Sequence, residues 1–272
     1  MGKGVLVVKK LKVSHAVFAV LALFLVVLNS GCSYFGDKKD ETEGWSEDRL
    51  YGQAKSALDS GNYEKAVELY EKLQTRYPFG AHSQQGQLDL AYAYYKQDDQ
   101  PSAAAACDRY IKLYPGSPGV DYAYYLKGLA NFNQGKGLAD RFLPTDTAQR
   151  DQGAAVQSFQ DFTNLLKNFP ETKYGEDAKQ RMIYLRNILA QHEVDIAQYY
   201  MRRGAYVAAA NRARYVVENY QQSTAMPQAL TVMAKAYKVL NLPELSDDAL
   251  RVLQLNFPNY PGIEEVKNTV VR

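Results

Sequence analysis

Residues 59–66, Asp59-Ser60-Gly61-Asn62-Tyr63-Glu64-Lys65-Ala66, indicate the fold more directly than any other stretch of this 272-residue chain. They form a polar turn that runs into a helix-forming segment, and Pro78 follows twelve positions after Ala66. Residues 98–103, Asp98-Asp99-Gln100-Pro101-Ser102-Ala103, have Pro115 at the same offset. A turn, a small residue and a closing proline at fixed spacing are typical of a repeat protein.

The same register continues along the chain. Small residues suited to the first helix of a hairpin occur at spacings of 37, 37, 69 and 37 residues, at Ala54, Ala91, Gly128, Ala197 and Ala234. Small residues suited to the second helix are Ala66, Ala103, Ser158, Ala209 and Ser246. The turns between the two helices carry residues that tolerate positive φ, namely Gly61, Asp98, Gly204 and Asn241. The pattern predicts an all-α, right-handed superhelix of five tetratricopeptide-like hairpins; a generic helical bundle is the alternative.

The long spacing of 69 residues indicates two insertions in the third repeat unit. The first, about residues 134–152, carries glycine, aspartate and proline and is expected to be a loop between helices. The second contains Gly175–Leu189, which is long enough for one extra helix. We therefore expect N-terminal repeats 1–3 over residues 45–174, and C-terminal repeats 4–5 with the extra helix over residues 175–272.

The first 44 residues have the pattern of an export signal and a tether. Four lysines precede an unbroken apolar run, Ala16–Leu28, which is shorter than the roughly 20 residues that a transmembrane helix needs. Asn29-Ser30-Gly31-Cys32 follows at once and resembles a bacterial lipobox. We interpret residues 1–31 as a lipoprotein signal peptide and residues 32–44 as a flexible tether. Cys32 would carry an N-acyl chain and an S-diacylglycerol, and ordinary cleavage beside an incidental cysteine is the alternative.

Charge and residue inventory exclude several classes of function. The net charge is +2, but residues 1–31 hold four lysines and no acid, so the remainder is near −2 and lacks the basic character of a nucleic-acid binder. No histidine, cysteine or carboxylate motif indicates a metal or cofactor, and no nucleophile or phosphate-loop motif is present. Cys107 is expected to be a buried apolar residue. The sequence therefore favours a protein that binds other proteins and not an enzyme.

Aromatic residues on the first helices of the repeats provide the candidate binding surface. In a tetratricopeptide array, positions 2, 5, 9 and 12 of each first helix line the inner face. In the second and third repeats these positions are Gln85, Leu88, Tyr92, Tyr95, Tyr122, Tyr125, Leu129 and Phe132. Tyrosine offers a large contact area at low entropy cost, so this face is predicted to bind a polypeptide segment. The alternative is that these rings only pack between helices.

Several blocks of sequence exceed what a generic repeat requires: Arg76–Gly80, Ser83–Gln85, Gln87–Lys96, Asp121-Tyr122, Gly128-Leu129, Arg150-Asp151, Phe159, Asp161-Phe162, Arg203–Ala208 and Asn211-Arg212. On these residues the chain is similar to the BamD family, the tetratricopeptide lipoproteins of the β-barrel assembly machinery. The resemblance covers about residues 45–225 and weakens past Pro227. It also departs from the family at Asn29 of the lipobox.

The resemblance implies a lipoprotein on the periplasmic face of the outer membrane, in a complex with other Bam lipoproteins. The N-terminal repeats would bind the C-terminal targeting segment of unfolded outer-membrane proteins, through Leu88, Tyr92, Tyr95, Tyr122, Tyr125 and Phe132. Tyr77 and Phe79 are further candidates, although their turn could equally be a packing wedge between repeats. The C-terminal repeats would dock on the POTRA domain of BamA, through Arg203, Tyr206 and Arg212. A pilotin-like or cell-wall scaffold lipoprotein is the alternative function.

Overall fold

The computed structural model describes residues 40–134 and 152–270, in which eleven helices and no strands occur. The helices are α1 (Glu47–Asp59), α2 (Tyr63–Arg76), α3 (Ser83–Lys96), α4 (Gln100–Leu113), α5 (Val120–Asn133), α6 (Gln152–Asn168), α7 (Gly175–Arg202), α8 (Tyr206–Asn219), α9 (Met226–Val239), α10 (Pro243–Asn256) and α11 (Gly262–Lys267). The first ten pair successively into five antiparallel hairpins, so the all-α, tetratricopeptide-like prediction is confirmed. The segment predicted to be a signal peptide, Cys32 and most of the first insertion lie outside the described residues.

The turn residues predicted from the sequence connect the two helices within a hairpin, and the predicted prolines follow the second helix. Gly61, Asp98, Gly204 and Asn241 all have positive φ, between 58° and 80°, which reverses the chain after the first helix of the first, second, fourth and fifth hairpins. Asn62 and Asp99 then accept hydrogen bonds from backbone N–H groups of the following helix and so cap α2 and α4. Each of α2, α4, α6 and α10 stops two residues before its closing proline.

The two helices of each hairpin approach where their side chains are small. In the third hairpin the Ser158 hydroxyl donates to the carbonyl oxygen of Gly128 over 2.9 Å. In the fifth, Ser246 makes the same bond to Ala234 over 3.0 Å. The predicted alanines of the other hairpins are fully buried at the equivalent crossings. Close contact of this kind buries a continuous apolar core from one repeat to the next.

The second insertion does not form a separate helix, and this part of the prediction is wrong. Gly175–Leu189 is the beginning of α7, a single helix of 28 residues. No proline or glycine interrupts the segment after Gly175, and Leu185, Leu189 and Val194 continue one buried stripe. The inserted residues therefore lengthen the first helix of the fourth hairpin towards the third. Residues from Ser46 onward form one compact unit; the short turn over 40–45 belongs to another, in which Thr42 bonds to Asp40.

A charged network centred on the buried Asp161 joins the second and third hairpins. Lys127 on α5 lies 2.8 Å from an Asp108 oxygen on α4 and 3.2 Å from an Asp161 oxygen on α6. Asp161 also accepts hydrogen bonds from Asn131 and Gln157. Burial opposes the charge on Lys127, but the two carboxylates outweigh it and raise its pKa. The network therefore joins three helices by charge as well as by packing.

The short helix α11 closes the array. Its residues Ile263 and Val266 are buried against α9 and α10. Lys238 of α9 donates to the carbonyl oxygens of Val266 and Lys267, which lie at the C-terminal end of α11 where cations are favoured. Within residues 40–134 and 152–270, no helix is long and apolar enough to cross a membrane.

Candidate functional site

The N-terminal repeats form a cleft of about 400 Å³ between α1, the start of α2, α3 and the start of α5. Its apolar and aromatic lining consists of Leu58, Tyr63, Leu88, Tyr92 and Tyr122. Its polar lining consists of Lys55, Asp59, Gln85 and Asp89. We call this site the Tyr92 cleft. Three of the predicted binding residues, Leu88, Tyr92 and Tyr122, therefore meet around one opening.

Asp89 forms the floor of the Tyr92 cleft and is only 9% exposed. One of its carboxylate oxygens accepts a hydrogen bond from Gln85 over 2.7 Å, and the other accepts from Tyr70 over 3.0 Å and from Tyr51 over 3.4 Å. Burial, and then the nearby Asp89 charge, raise the pKa of Tyr51 and Tyr70, so both phenols remain donors. The sequence does not indicate Asp89 as a site residue, because it lies among the buried positions of α3.

The rim of the Tyr92 cleft carries an ion pair. Lys55 lies 3.0 Å from an Asp59 oxygen; its side chain is half-buried, whereas that of Asp59 is exposed. The hydrogen bond to Asp59 raises the pKa of Lys55 despite partial burial, and the Asp89 charge adds to the effect. One lysine therefore faces two carboxylates, so the charged lining of the cleft sums to −1.

Aromatic rings continue from the Tyr92 cleft to α7. Tyr122 packs against Tyr174 with ring centroids 5.5 Å apart, and Tyr174 stacks on Tyr125 at 4.6 Å. The Tyr125 hydroxyl donates to Asp177 over 2.7 Å. Burial and this bond raise the pKa of Tyr125 to about 12. Tyr174 directly precedes α7, and Asp177 lies in its first turn. The sequence predicts a helix from Gly175 but does not indicate which side chains of α5 it contacts, so this proximity was not foreseen.

The far end of this band is a contact between Phe132 and two residues of α7. The Arg181 guanidinium lies 4.9 Å from the Phe132 ring centroid, and the Tyr184 ring lies at 5.7 Å. Arg181 also forms a bidentate pair with Asp177 at 2.6 and 3.3 Å. This pair is the main cause of the lowered pKa of Asp177. Tyr125 and Phe132 are thus half-buried against α7 and are not part of the Tyr92 cleft.

The remaining predicted rings lie elsewhere. Tyr95 accepts a hydrogen bond from Asn133 over 3.0 Å and packs between α3 and α5. Leu129, the other predicted inner-face residue of α5, is buried. The predicted set therefore divides into an open group at the Tyr92 cleft and a group engaged in packing, which is the alternative given by the sequence.

The turn between α2 and α3 presents Phe79 to solvent, with 98% of the residue exposed. Glu47 of α1 fixes this turn, since its carboxylate contacts Gly80 and accepts a hydrogen bond from the His82 N–H over 2.6 Å. Tyr77 is half-buried at the end of α2. Neither Tyr77 nor Phe79 lines the Tyr92 cleft. Phe79 is too exposed to serve as a packing wedge, and its role as a binding residue stays a prediction.

The predicted docking residues lie at the junction of α7 and α8. Arg203 stacks over the Tyr199 ring at 5.5 Å and donates to its hydroxyl. Arg212 lies 3.0 Å from Glu193 of α7, and 46% of its side chain remains exposed. Tyr206 packs on the alanine-rich core between α7, α8 and α9. Both arginines therefore remain accessible to a partner, and their docking role stays a prediction.

Two kinds of reactive group were sought among the described residues, a metal site and an accessible thiol. Among residues 40–134 and 152–270, no group of three or more histidine, cysteine, aspartate or glutamate residues could hold a metal ion. The Cys107 thiol is fully buried, and burial raises its pKa, so it stays protonated and unreactive. The accessible features are rings, amides and charges, which suit recognition of another polypeptide.

Comparison with known proteins identifies the family. The YfiO family model, described as "Outer membrane lipoprotein", matches residues 44–253. The chain is 42% identical over 249 residues to the outer membrane protein assembly factor BamD of Neisseria meningitidis serogroup B, which is 90% of this chain and 93% of that protein. The BamD protein of Xylella fastidiosa (strain Temecula1) is 35% identical, with 93% and 85% covered, and that of Vibrio cholerae serotype O1 is 36% identical, with 87% and 96% covered. The resemblance found in the sequence is thereby confirmed, and the chain belongs to the YfiO/BamD family of outer membrane assembly lipoproteins, which are not enzymes.

Proposed function

We propose that this chain is a lipid-anchored scaffold subunit of the outer-membrane β-barrel assembly machinery. It binds targeting segments of unfolded outer-membrane proteins at the Tyr92 cleft and delivers them to BamA. Membership in a family of assembly factors supports the process. The open, ring-lined cleft supports the mode of binding and is the observation that carries the proposal.

The Tyr92 cleft has the chemistry required for an extended segment with aromatic anchors. In the described part of the chain, no hydrogen bond engages the hydroxyls of Tyr92 and Tyr122, so both rings offer an apolar face and an available polar tip. Burial raises the pKa of Tyr122, so its hydroxyl remains neutral. Binding to preformed rings costs little entropy, which favours recognition of a flexible polypeptide.

A peptide titration tests substrate binding. A fluorescein-labelled peptide with the aromatic C-terminal segment of a β-barrel protein is titrated with the wild type and with Tyr92→Ala, Tyr122→Ala and the double variant. Loss of a central aromatic anchor costs about 2 kcal/mol, so affinity should fall roughly thirtyfold for each single change. Tyr215→Ala, which removes an exposed ring on α8, is the matched control. Equal affinity of all variants would contradict binding at this cleft.

Docking on the BamA POTRA domain is the second part of the proposal. Arg212 is supported as an interface residue because Glu193 orients its guanidinium while half of the side chain stays exposed. Arg212→Glu places two acids together and should abolish co-purification of BamA in mild detergent. Arg214→Glu on the same helix, where the arginine contacts Asn211 and Glu218, is the control. Recovery of BamA at wild-type level with Arg212→Glu would refute this contact; Arg203 and Tyr206 can be tested in the same way.

Anchoring through Cys32 is the third part. Two or more acyl chains are sufficient for stable attachment to a bilayer, whereas one is marginal. Cys32→Ser should therefore release the protein into the soluble periplasmic fraction and remove the acyl mass detected by mass spectrometry. Retention of Cys32→Ser in the outer-membrane fraction would show that protein contacts, including those with other Bam lipoproteins, hold it there.

A further inference from the structure

We propose that the Tyr92 cleft selects a polypeptide segment that carries a lysine or arginine side chain beside its aromatic anchors. The proposal deepens the function given above and rests on it, since it specifies the chemistry of the segment that this cleft binds. It follows from the charges and the rings that meet at the cleft.

The fixed charges of the cleft favour a cation. Asp89 at the floor and Asp59 at the rim are faced by one lysine, Lys55, whose ammonium group is already bonded to Asp59. The neutral donors that hold Asp89, namely Gln85, Tyr70 and Tyr51, position its charge without cancelling it. A carboxylate that is 9% exposed is weakly screened by solvent, so its field acts on a ligand in the cleft.

The rings of the cleft favour the same ligand. Aromatic faces attract cations, and two rings, Tyr63 in the cleft lining and Tyr174 beside the cleft, already hold one cation each from the chain itself. Lys96 lies 5.5 Å from the Tyr63 ring centroid, and Lys173 lies 5.1 Å from that of Tyr174. In the described part of the chain no such cation faces Tyr92 or Tyr122. A lysine or arginine can place its aliphatic stem along these rings and direct its charge towards the two carboxylates.

The binding experiment uses the full mature chain in mild detergent and two labelled peptides. Both carry the same aromatic residues, and they differ only in one lysine that is replaced by norleucine, which keeps the stem and removes the charge. The wild type should bind the lysine peptide about two- to fivefold more tightly, which is the range for one partly exposed charge pair, and high salt should reduce the difference.

Two variants shift the preference in opposite directions. Asp59→Asn should reduce the ratio of the two affinities, because it removes one carboxylate and frees Lys55 to oppose the ligand. Lys55→Gln should raise the ratio, because it leaves both carboxylates unopposed. Asp248→Asn, which removes an equally exposed acid paired with Arg251 on α10, should leave the ratio unchanged. Asp89 is left intact, since its hydrogen bonds join α1, α2 and α3.

The outcomes separate this proposal from the proposed function. If the two peptides bind the wild type equally, or if Asp59→Asn and Lys55→Gln change the ratio in the same direction, charge selection is wrong while peptide binding stands. If neither peptide binds, the proposed function itself fails at this cleft. Opposite shifts of the ratio by the two variants would support the proposal.

Discussion

Replacement of Lys127 by methionine tests how strongly the buried charges hold the second and third hairpins together. Only 17% of the Lys127 side chain and 2% of the Asp161 side chain are exposed. Methionine fills similar space but leaves the Asp161 carboxylate without its cation. Breaking a buried pair costs about 3–5 kcal/mol. We expect about 3 kcal/mol, the lower end of this range, since Asn131 and Gln157 still donate to Asp161.

Urea unfolding followed by far-UV circular dichroism measures this loss. Lys167→Met, an exposed lysine on α6, is the control and should change the free energy of unfolding by no more than about 0.5 kcal/mol. In an Asp161→Asn background, Lys127→Met should lower the free energy of unfolding by only about 1 kcal/mol, because no buried carboxylate is then left without its cation. Because Lys127 has a raised pKa in the folded state, its contribution persists below the pKa of an unfolded lysine and is lost only as pH rises through the folded value.

A change of less than about 1 kcal/mol for Lys127→Met would refute this reasoning, since it would show that the carboxylate is solvated or rearranges freely. An equal cost in the Asp161→Asn background would also refute it, because the loss would then come from packing and not from charge.

Two further changes probe packing and acid stability. Gly128→Ala should destabilise the protein by about 2 kcal/mol in urea unfolding, because the new Cβ would lie 2.5 Å from the buried Phe162 ring; Gly52→Ala, where nothing lies within 4 Å, should instead stabilise it by about 0.5–1 kcal/mol, and similar effects of the two would disprove the close approach. The pKa of Asp177 is lowered chiefly by Arg181, so its stabilisation is present above the usual aspartate pKa and is lost as pH falls through the lower folded value. Acid titration of thermal stability should therefore show a smaller decline below about pH 4 for Asp177→Asn than for the wild type, and parallel curves would contradict this interpretation.

Local residue requirements explain why much of the fold could be predicted from the sequence. The turn at Asp98 needs positive φ, and the crossing at Gly128 needs a small residue. Both requirements restrict the residue type at a fixed spacing and are therefore visible in the sequence. The length of α7 imposes no such requirement on a particular residue. An amphipathic segment after Gly175 is compatible with a separate helix or with extension of the next one, and the choice depends on burial of Leu185 and Leu189 against neighbouring helices.

The candidate site shows the same limit. Repeat positions identify Leu88, Tyr92 and Tyr122 because their direction follows from helical periodicity. The Asp89 floor and the approach of Tyr174 to Tyr122 depend on contacts between residues that are distant in sequence. Repeat periodicity therefore locates the face of the helix, whereas the partners of each side chain are set by tertiary packing.

Helix α7 is one long, uninterrupted helix that contacts both groups of candidate binding residues. Its 28 residues extend about 42 Å at 1.5 Å per residue. Asp177 and Arg181 near one end hold the rings of α5, while Glu193, nearer the other end, orients Arg212. A tilt of α7, imposed at either end, would displace both groups of side chains together, because no glycine or proline interrupts the helix after Gly175.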